Sequence, residues 1–310
     1  MFTTHPFGSP HRLLHVGGAR LPHWRLGQGP DLLFIHGWPF DARAWRHSVA
    51  ALSDRFTCHL IDLPFAGFSV WDARTPAGIS AGTEAVLEAI DAMDLHGKVG
   101  LIGHDSGGTV ARLVAARLGE RLAGLALGNT EIPYRPSLLL RLYYGAGKLP
   151  GADAVLRLLL GSRLGREALR ATAPVNKDLV HGSLNDLFFR RLVDDPKARA
   201  GALHVLRQVR LQDFDLTGPA HAQITAPVLL VWGRQDPLFP LATARPMVST
   251  FGGDATLQVI DDAGLMVYEE RPELFNAALG QHFEACFGDR AVPATSPEAP
   301  ASPRLSPPLG

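Results

Sequence analysis

Three observations predict an α/β fold, with a mostly parallel sheet covered by helices on both faces and a helical cap inserted into it. Short apolar, β-branched runs alternate with longer segments of helical spacing along most of the chain. Polar and glycine-rich clusters directly follow several of these runs, where the strands of such a sheet end. Between residues 132 and 222 the apolar runs disappear and Leu/Arg/Ala-rich segments take over, which indicates a helical cap over the strand ends.

The alternation gives the order of the core elements. Compact apolar runs predict strands at Ala19–Leu26, Asp31–Ile35, Thr57–Ile61, Lys98–Ile102, Leu122–Leu127, Pro227–Gly233 and Thr256–Ile260. Helical spacing predicts core helices over 42–52, 79–93 and 109–118, and cap helices over 138–144, 154–164, 184–193 and 200–210. We therefore expect a core made of residues 1–131 and 223–287, a cap over 132–222, and a disordered Pro/Ala/Ser-rich tail over 288–310.

Composition excludes several classes of function. The 310 residues carry 30 Lys and Arg against 30 Asp and Glu, so the net charge gives no reason to expect nucleic acid or a membrane surface as a partner. The two cysteines, Cys58 and Cys286, lie far apart and predict free thiols in a reducing compartment. No signal peptide and no transmembrane run is recognisable, so we expect a cytoplasmic protein.

The segment Gly103-His104-Asp105-Ser106-Gly107-Gly108 is the most informative stretch of the chain. It stands between a predicted strand and a predicted helix, which is the context of a nucleophile elbow, Gly-x-Nuc-x-Gly. Counted from Gly103, the nucleophile position holds Asp105. A carboxylate there favours displacement at a saturated carbon over ester cleavage.

Two alternatives exist for this segment. If Ser106 were the nucleophile, the small residue needed two places earlier would be the imidazole of His104, which disfavours that frame on steric grounds. The segment is also compatible with an ordinary turn, since Gly, Asp and Ser all favour turns.

These residues and their order resemble the α/β-hydrolase fold, in particular its aspartate-nucleophile branch of epoxide hydrolases and haloalkane dehalogenases. The resemblance covers residues 20–287. His36-Gly37-Trp38-Pro39 matches the HGxP turn of that family. It implies that the backbone N–H groups of Trp38 and Ser106 form the oxyanion hole, while His36 has a structural role.

The resemblance also implies an acid partner. Gly233-Arg234-Gln235-Asp236-Pro237 matches the segment that places a carboxylate behind the catalytic imidazole, so Asp236 takes that role. A cap on the following helix is the purely structural alternative for Asp236. Glu131 lies near the position some dehalogenases use for this acid and is held in reserve.

The histidine of the family is missing. Asp261-Asp262-Ala263-Gly264 matches the turn that precedes it, but the next residue is Leu265. None of the thirteen histidines lies between His221 and His282. The base that activates water for ester hydrolysis is therefore absent from its expected place.

Other family features are also changed. The residue after the nucleophile is Ser106 where tryptophan is usual, and Arg112 comes three positions too late to hold a substrate carboxylate. Tyr143 and Tyr144 are candidate substrate-binding residues, although tyrosines in a Leu-rich helix are often packing residues. The indole N–H of Trp38 is a candidate donor to a leaving group.

Three functional hypotheses follow. The first is an enzyme in which Asp105 attacks an uncharged hydrophobic epoxide or alkyl halide, with turnover impaired by Leu265. The second is an inactive hydrolase fold that binds a ligand or regulates a partner. The third is a serine hydrolase that uses Ser106. The implied partner is a small hydrophobic substrate, without cofactor or metal, and the oligomeric state is left open.

Overall fold

The computed structural model describes residues 5–170 and 176–288 and contains an eight-stranded sheet. Its strands are β1 (Arg12–Val16), β2 (Ala19–Leu26), β3 (Asp31–Ile35), β4 (Thr57–Ile61), β5 (Val99–Gly103), β6 (Leu122–Leu127), β7 (Val228–Gly233) and β8 (Ala255–Ile260). Their order across the sheet is β1-β2-β4-β3-β5-β6-β7-β8. Neighbouring strands from β4 to β8 run parallel, whereas β2 is antiparallel to both β1 and β4.

The α/β class and its mostly parallel sheet are confirmed, and all seven predicted strands are present. The sequence analysis missed β1, whose segment RLLHV mixes charged and apolar residues because it forms the edge of the sheet. The central strands β4, β5, β6 and β7 are buried along their whole length, as expected for strands covered on both faces.

Helices cover both faces of the sheet. Before β6 they are α1 (Arg46–Leu52), α2 (Ile79–Ala92) and α3 (Ser106–Leu118). After β7 they are α11 (Leu241–Ala244), α12 (Val267–Glu270) and α13 (Pro272–Phe287). The predicted helix over 42–52 is divided into a 3-10 turn at Ala42–Trp45 and α1. The division arises because the Asp41 carboxylate accepts the Arg43 N–H and starts the tight turn.

Between β6 and β7 the regular secondary structure of the described residues is entirely helical, and we call this set of helices the cap. The segments are α4 (Leu138–Gly147), α5 (Ala152–Gly161), α6 (Arg163–Arg170), α7 (Lys177–His181), α8 (Arg190–Asp194), α9 (Pro196–Gln208) and α10 (Thr217–His221). A π-helical turn, Asn185–Phe189, precedes α8. The last of these helices, α10, packs on α3 of the core.

Except for Gly288, the predicted tail lies outside the described residues. In the described part of the chain, no helix combines the length and the apolar character needed to cross a bilayer.

Candidate active site

Asp105 lies at the tip of the turn between β5 and α3, with φ 53° and ψ −137°. A positive φ is strained for a residue with a side chain and is typical of a nucleophile elbow. The glycine at 107 is required by close approach, since a Cβ there would lie 2.4 Å from the carbonyl oxygen of His36. The Thr130 hydroxyl donates to the carbonyl oxygen of Asp105 at 2.8 Å and helps to hold the turn.

The two backbone N–H groups expected to form an oxyanion hole converge on the Asp105 carboxylate. Oδ1 accepts the Ser106 N–H at 2.6 Å and the Trp38 N–H at 3.1 Å. Among the described residues, Oδ2 accepts no backbone N–H. One carboxylate oxygen is thus held by two backbone N–H groups, and the other is not. Ser106 itself is the first residue of α3 and not the tip of the turn.

The environment of Asp105 disfavours its charged form. The residue is buried, and burial together with the nearby negative charge of Glu131 raises its pKa to about 8, against the lowering effect of the two N–H donors. The carboxyl group is therefore largely protonated below that pH.

Glu131, the reserve acid, follows β6 and is also buried. Its Oε2 accepts the hydroxyl of Thr109 at 2.8 Å and lies 3.2 Å from Thr130 Oγ1, and its Oε1 accepts the hydroxyl of Tyr144 at 3.4 Å. Burial raises the pKa of Glu131 despite these donors. Through Tyr144, this acid connects the core to the cap.

Arg112 organises the polar groups beneath the elbow and was not expected to do so. Its fully buried guanidinium donates to Glu131 O at 2.8 Å, to Thr109 Oγ1 at 3.0 Å and to Thr130 Oγ1 at 3.1 Å. Its Nη1 donates to Thr217 Oγ1 at 3.4 Å, on α10. Burial lowers the pKa of Arg112 to about 10. The guanidinium is thus hydrogen-bonded to groups of the protein itself, so Arg112 has a structural role.

Asp236 is satisfied without an imidazole. Its Oδ1 accepts the N–H groups of Leu238 at 2.7 Å and Phe239 at 3.1 Å, and its Oδ2 accepts Asn129 Nδ2 at 2.7 Å. Burial nevertheless raises its pKa to about 6. Arg234 does not contribute, because it pairs with Asp261 at 2.6 Å. The sequence analysis missed Asn129, whose only signal was its place two residues after the end of β6.

Leu265 lies in the turn between β8 and α12 and lines the same cavity as Asp105. Its backbone is fixed, because its carbonyl oxygen accepts His104 Nε2 at 2.7 Å. The two turns that carry Asp236 and Leu265 touch, since Gln235 N–H donates to Ala263 O at 2.9 Å. Among the described residues, no histidine lines this cavity.

The two histidines closest in sequence to the site are structural. His104 is fully buried against Tyr268, with ring centroids 4.7 Å apart, and burial lowers its pKa to about 4. His36 lies within hydrogen-bond distance of Gly37 O through Nδ1 and accepts the Leu63 N–H at Nε2, both at 3.0 Å. Neither imidazole lines the cavity that contains Asp105 and Leu265.

The cavity above Asp105 has a volume of about 270 Å³ and lies between the core and the cap. Its walls are almost entirely apolar. They include Trp38, Phe40, Leu139, Leu142, Tyr143, Tyr144, Leu156, Leu160, Leu184, Phe189, Leu238 and Met266. Such a lining suits an uncharged hydrophobic ligand.

Trp38, Tyr143 and Tyr144, the candidate substrate-binding residues, line the cavity. The expectation that the Trp38 indole donates to a leaving group is wrong, because Nε1 donates to Ala202 O of α9 at 2.8 Å. Trp38 instead joins the core to the cap. Its ring lies 5.5 Å from that of Tyr143, edge to face.

Comparison with known proteins places this geometry in a family. The profile of the α/β hydrolase fold matches residues 30–272, which is most of the chain. The chain belongs to the α/β-hydrolase fold family. Among curated relatives of this α/β hydrolase, haloalkane dehalogenase 2 of Mycobacterium tuberculosis is 25% identical over 90% of this chain and 96% of its own. The pimeloyl-[acyl-carrier protein] methyl ester esterase of Vibrio parahaemolyticus is 28% identical over 73% of this chain and 84% of its own.

Solved structures agree on the fold. A haloalkane dehalogenase from Bradyrhizobium elkani USDA94 superposes with a TM-score of 0.73 at 19% identity, over 89% of this chain and 98% of its own. A meta-cleavage product hydrolase from Pseudomonas fluorescens IP01 superposes with a TM-score of 0.75 at 19% identity, over 89% of this chain and 98% of its own. In the described part of this α/β hydrolase, no group of three or more His, Cys, Asp or Glu side chains is arranged to hold a metal ion.

Proposed function

We propose that this α/β hydrolase uses Asp105 as a nucleophile toward a small, uncharged, hydrophobic alkyl halide or epoxide and forms an aspartyl ester. The observation that carries the proposal is the Asp105 carboxylate itself. Two backbone N–H groups hold Oδ1, and the residue lines an apolar cavity between core and cap. The curated dehalogenase relative supports the same chemistry.

The first chemical step needs the ionised form of Asp105. Oδ2 attacks a saturated carbon, a C–O bond forms, and the bond to the leaving atom breaks with its electron pair. A halide leaves as the anion and needs no proton. An epoxide oxygen needs one, and Tyr143 is the cavity tyrosine whose hydroxyl is not bound to Glu131.

The second step is hydrolysis of the ester by water. A positioned base contributes about 10²- to 10⁴-fold to such a step. On the resemblance to the family, Leu265 takes the position of this base, and a leucine side chain cannot accept a proton. We therefore expect the aspartyl ester to accumulate, so that the protein turns over slowly or only once.

Intact-mass spectrometry tests the proposal. The protein is incubated at pH 9 with 1-bromoalkanes and 1,2-epoxyalkanes of four to eight carbons, and peptide mapping then locates any added alkyl or hydroxyalkyl group. We expect one group per chain on Asp105. Asp105→Asn is expected to remain unmodified, and Ser106→Ala, the matched control, to be modified like the parent. An adduct elsewhere, or none at all, contradicts the proposal.

A second function, binding of a hydrophobic ligand without chemistry, is favoured by two observations. The Trp38 indole N–H is already bonded to Ala202 O, so it stabilises no leaving halide. The pKa of Asp105 near 8 also leaves few anions at neutral pH. Saturable binding of the same halides and epoxides, measured by calorimetry and without a mass change even at pH 9, is the result that would establish this function.

A further inference from the structure

The outer face of the cap is unusually apolar. Of the twelve large hydrophobic side chains exposed in the described residues, seven lie between Tyr134 and Leu164. The six aliphatic ones lie on α4, on the turn that follows it, on α5 and on α6, and we call them together the apolar cap face: Leu138, Leu142, Leu149, Val155, Leu158 and Leu164. Leu164 is 83% exposed and Leu138 is 72% exposed. Aliphatic side chains grouped in this way mark an interaction surface.

The same segment is strongly basic. Residues 134–170 contain seven Lys and Arg and two Asp and Glu, which gives a local net charge of +5 in a chain whose net charge is +0. The two acids are neutralised internally, because Asp153 pairs with Arg199 and Glu167 pairs with Arg170. Arg141 and Arg157 are exposed beside Leu142 and Leu158.

We propose that the apolar cap face docks this α/β hydrolase onto an anionic lipid bilayer. Helices that combine exposed Leu side chains with flanking Arg lie in the membrane interface, where the apolar groups enter the acyl boundary and the cations meet lipid phosphates. This departs from the expectation of no membrane partner, which rested on the net charge of the whole chain. The helices involved, α4, α5 and α6, adsorb to the surface and do not span it.

Charge distinguishes the bilayer from a second copy of the chain. A two-fold dimer through this face would place one +5 surface against another, which is unfavourable. An anionic bilayer supplies the complementary charge and an apolar layer together.

The cap face also connects to the cavity. Leu142 is 61% exposed and at the same time lines the cavity that contains Asp105. A lipid-dissolved electrophile can therefore reach the apolar cavity along this wall. The supply of substrate from the bilayer rests on the proposed function. Docking to the bilayer does not depend on it.

Co-sedimentation of the full chain with vesicles tests the proposal. We expect binding to vesicles of 30 mol% phosphatidylglycerol in phosphatidylcholine at 50 mM NaCl, little binding to pure phosphatidylcholine, and loss of binding at 500 mM NaCl. Asp105→Asn is expected to bind as the parent does, which separates failure of docking from failure of the chemistry.

Two sets of variants locate the surface. The apolar set removes cap leucines that do not line the cavity: Leu138→Ser, Leu158→Ser and Leu164→Ser. Its control removes leucines of 47–49% exposure elsewhere: Leu13→Ser, Leu216→Ser and Leu274→Ser. The charge set is Arg141→Gln, Arg157→Gln and Arg163→Gln, with Arg25→Gln, Arg74→Gln and Arg245→Gln as its control.

We expect the partition coefficient to fall at least tenfold in the apolar set and about 100-fold in the charge set, at about one kcal/mol per cation, with the controls unchanged. Circular dichroism and thermal unfolding verify that each variant is folded. The proposal is overturned if the parent does not bind anionic vesicles, or if the controls lose as much binding as the cap variants. It is also overturned if sedimentation shows a dimer that the apolar set dissociates, because the face would then be covered by a second copy.

Discussion

Replacing Leu265 by histidine introduces the base that, on the proposed function, the site lacks. The backbone at this position is already fixed, since Leu265 O accepts His104 Nε2 at 2.7 Å and the flanking Gly264 and Met266 N–H groups both donate to Glu270 Oε1. Leu265 and Asp105 line one cavity, and the turn that carries Leu265 touches the turn that carries Asp236. An imidazole introduced here is therefore expected to enter the cavity that contains Asp105, on a backbone that is already hydrogen-bonded.

The expected gain in turnover follows from the role of the base. General-base catalysis contributes about 10²- to 10⁴-fold, so Leu265→His is expected to raise steady-state hydrolysis by at least about 100-fold while the rate of ester formation stays within a few-fold of the parent. Burying a polar ring in an apolar wall costs about 1–3 kcal/mol of unfolding free energy, which a hydrogen bond to Asp236 partly offsets.

Halide release and intact mass, followed together, test this prediction. In the parent we expect one equivalent of halide and a lasting adduct, and in Leu265→His continuous release with little adduct. Leu265→Asn is the matched control, since it is polar and similar in size but is not a base, and Leu265→His combined with Asp236→Asn tests the acid partner. If Leu265→His is folded and forms the adduct but hydrolyses it no faster than Leu265→Asn, the assignment of the missing base is refuted.

Three further predictions concern the charged groups beneath the elbow. The rate of adduct formation should rise with pH toward a plateau above about pH 8, because the anion of Asp105 reacts, and Glu131→Gln should move the midpoint to lower pH in stopped-flow or quenched mass measurements. Because the folded-state pKa of Asp105 is raised, its contribution to the free energy of unfolding is fully present below pH 4 and is lost as the pH rises to about 8. The free energy of unfolding of Asp105→Asn relative to that of the parent, measured in urea, should therefore be a few kcal/mol higher at pH 8.5 than at pH 5. Arg112→Met should lower the free energy of unfolding by about 3–5 kcal/mol in the same assay, since it removes the buried donor to the Glu131 carbonyl oxygen and to the Thr109 and Thr130 hydroxyls, whereas an unchanged midpoint would show that the guanidinium is dispensable.

The local sequence was sufficient to predict the turn between β5 and α3 and the seven strands named above. Asp105 and Ser106 adjoin one strand end and Trp38 another, and parallel strands bring their carboxyl ends to one edge of the sheet. The meeting of the Trp38 and Ser106 N–H groups at Asp105 Oδ1 follows from that arrangement. The strand runs were recognisable because buried parallel strands are continuously apolar.

Contacts between distant segments were not recognisable from sequence. The bond from the Trp38 indole to Ala202 O depends on how α9 lies over the core, and the bond between Asn129 and Asp236 depends on the packing of two turns more than 100 residues apart. Arg112 was judged only as a ligand for substrate, although its helix points it into the protein. The net charge of the whole chain gives no sign of the basic segment over residues 134–170, because the total is neutral.

The central claim is that Asp105 acts as a nucleophile whose ester is not hydrolysed for want of a base at Leu265. Time-resolved intact-mass spectrometry at pH 9 with a 1-bromoalkane, followed by peptide mapping, tests it most directly. The structure predicts one alkyl group per chain, located on Asp105, that persists for hours in the parent and turns over in Leu265→His. Multiple turnovers by the parent, or alkylation at Ser106 with Asp105 unmodified, would contradict it.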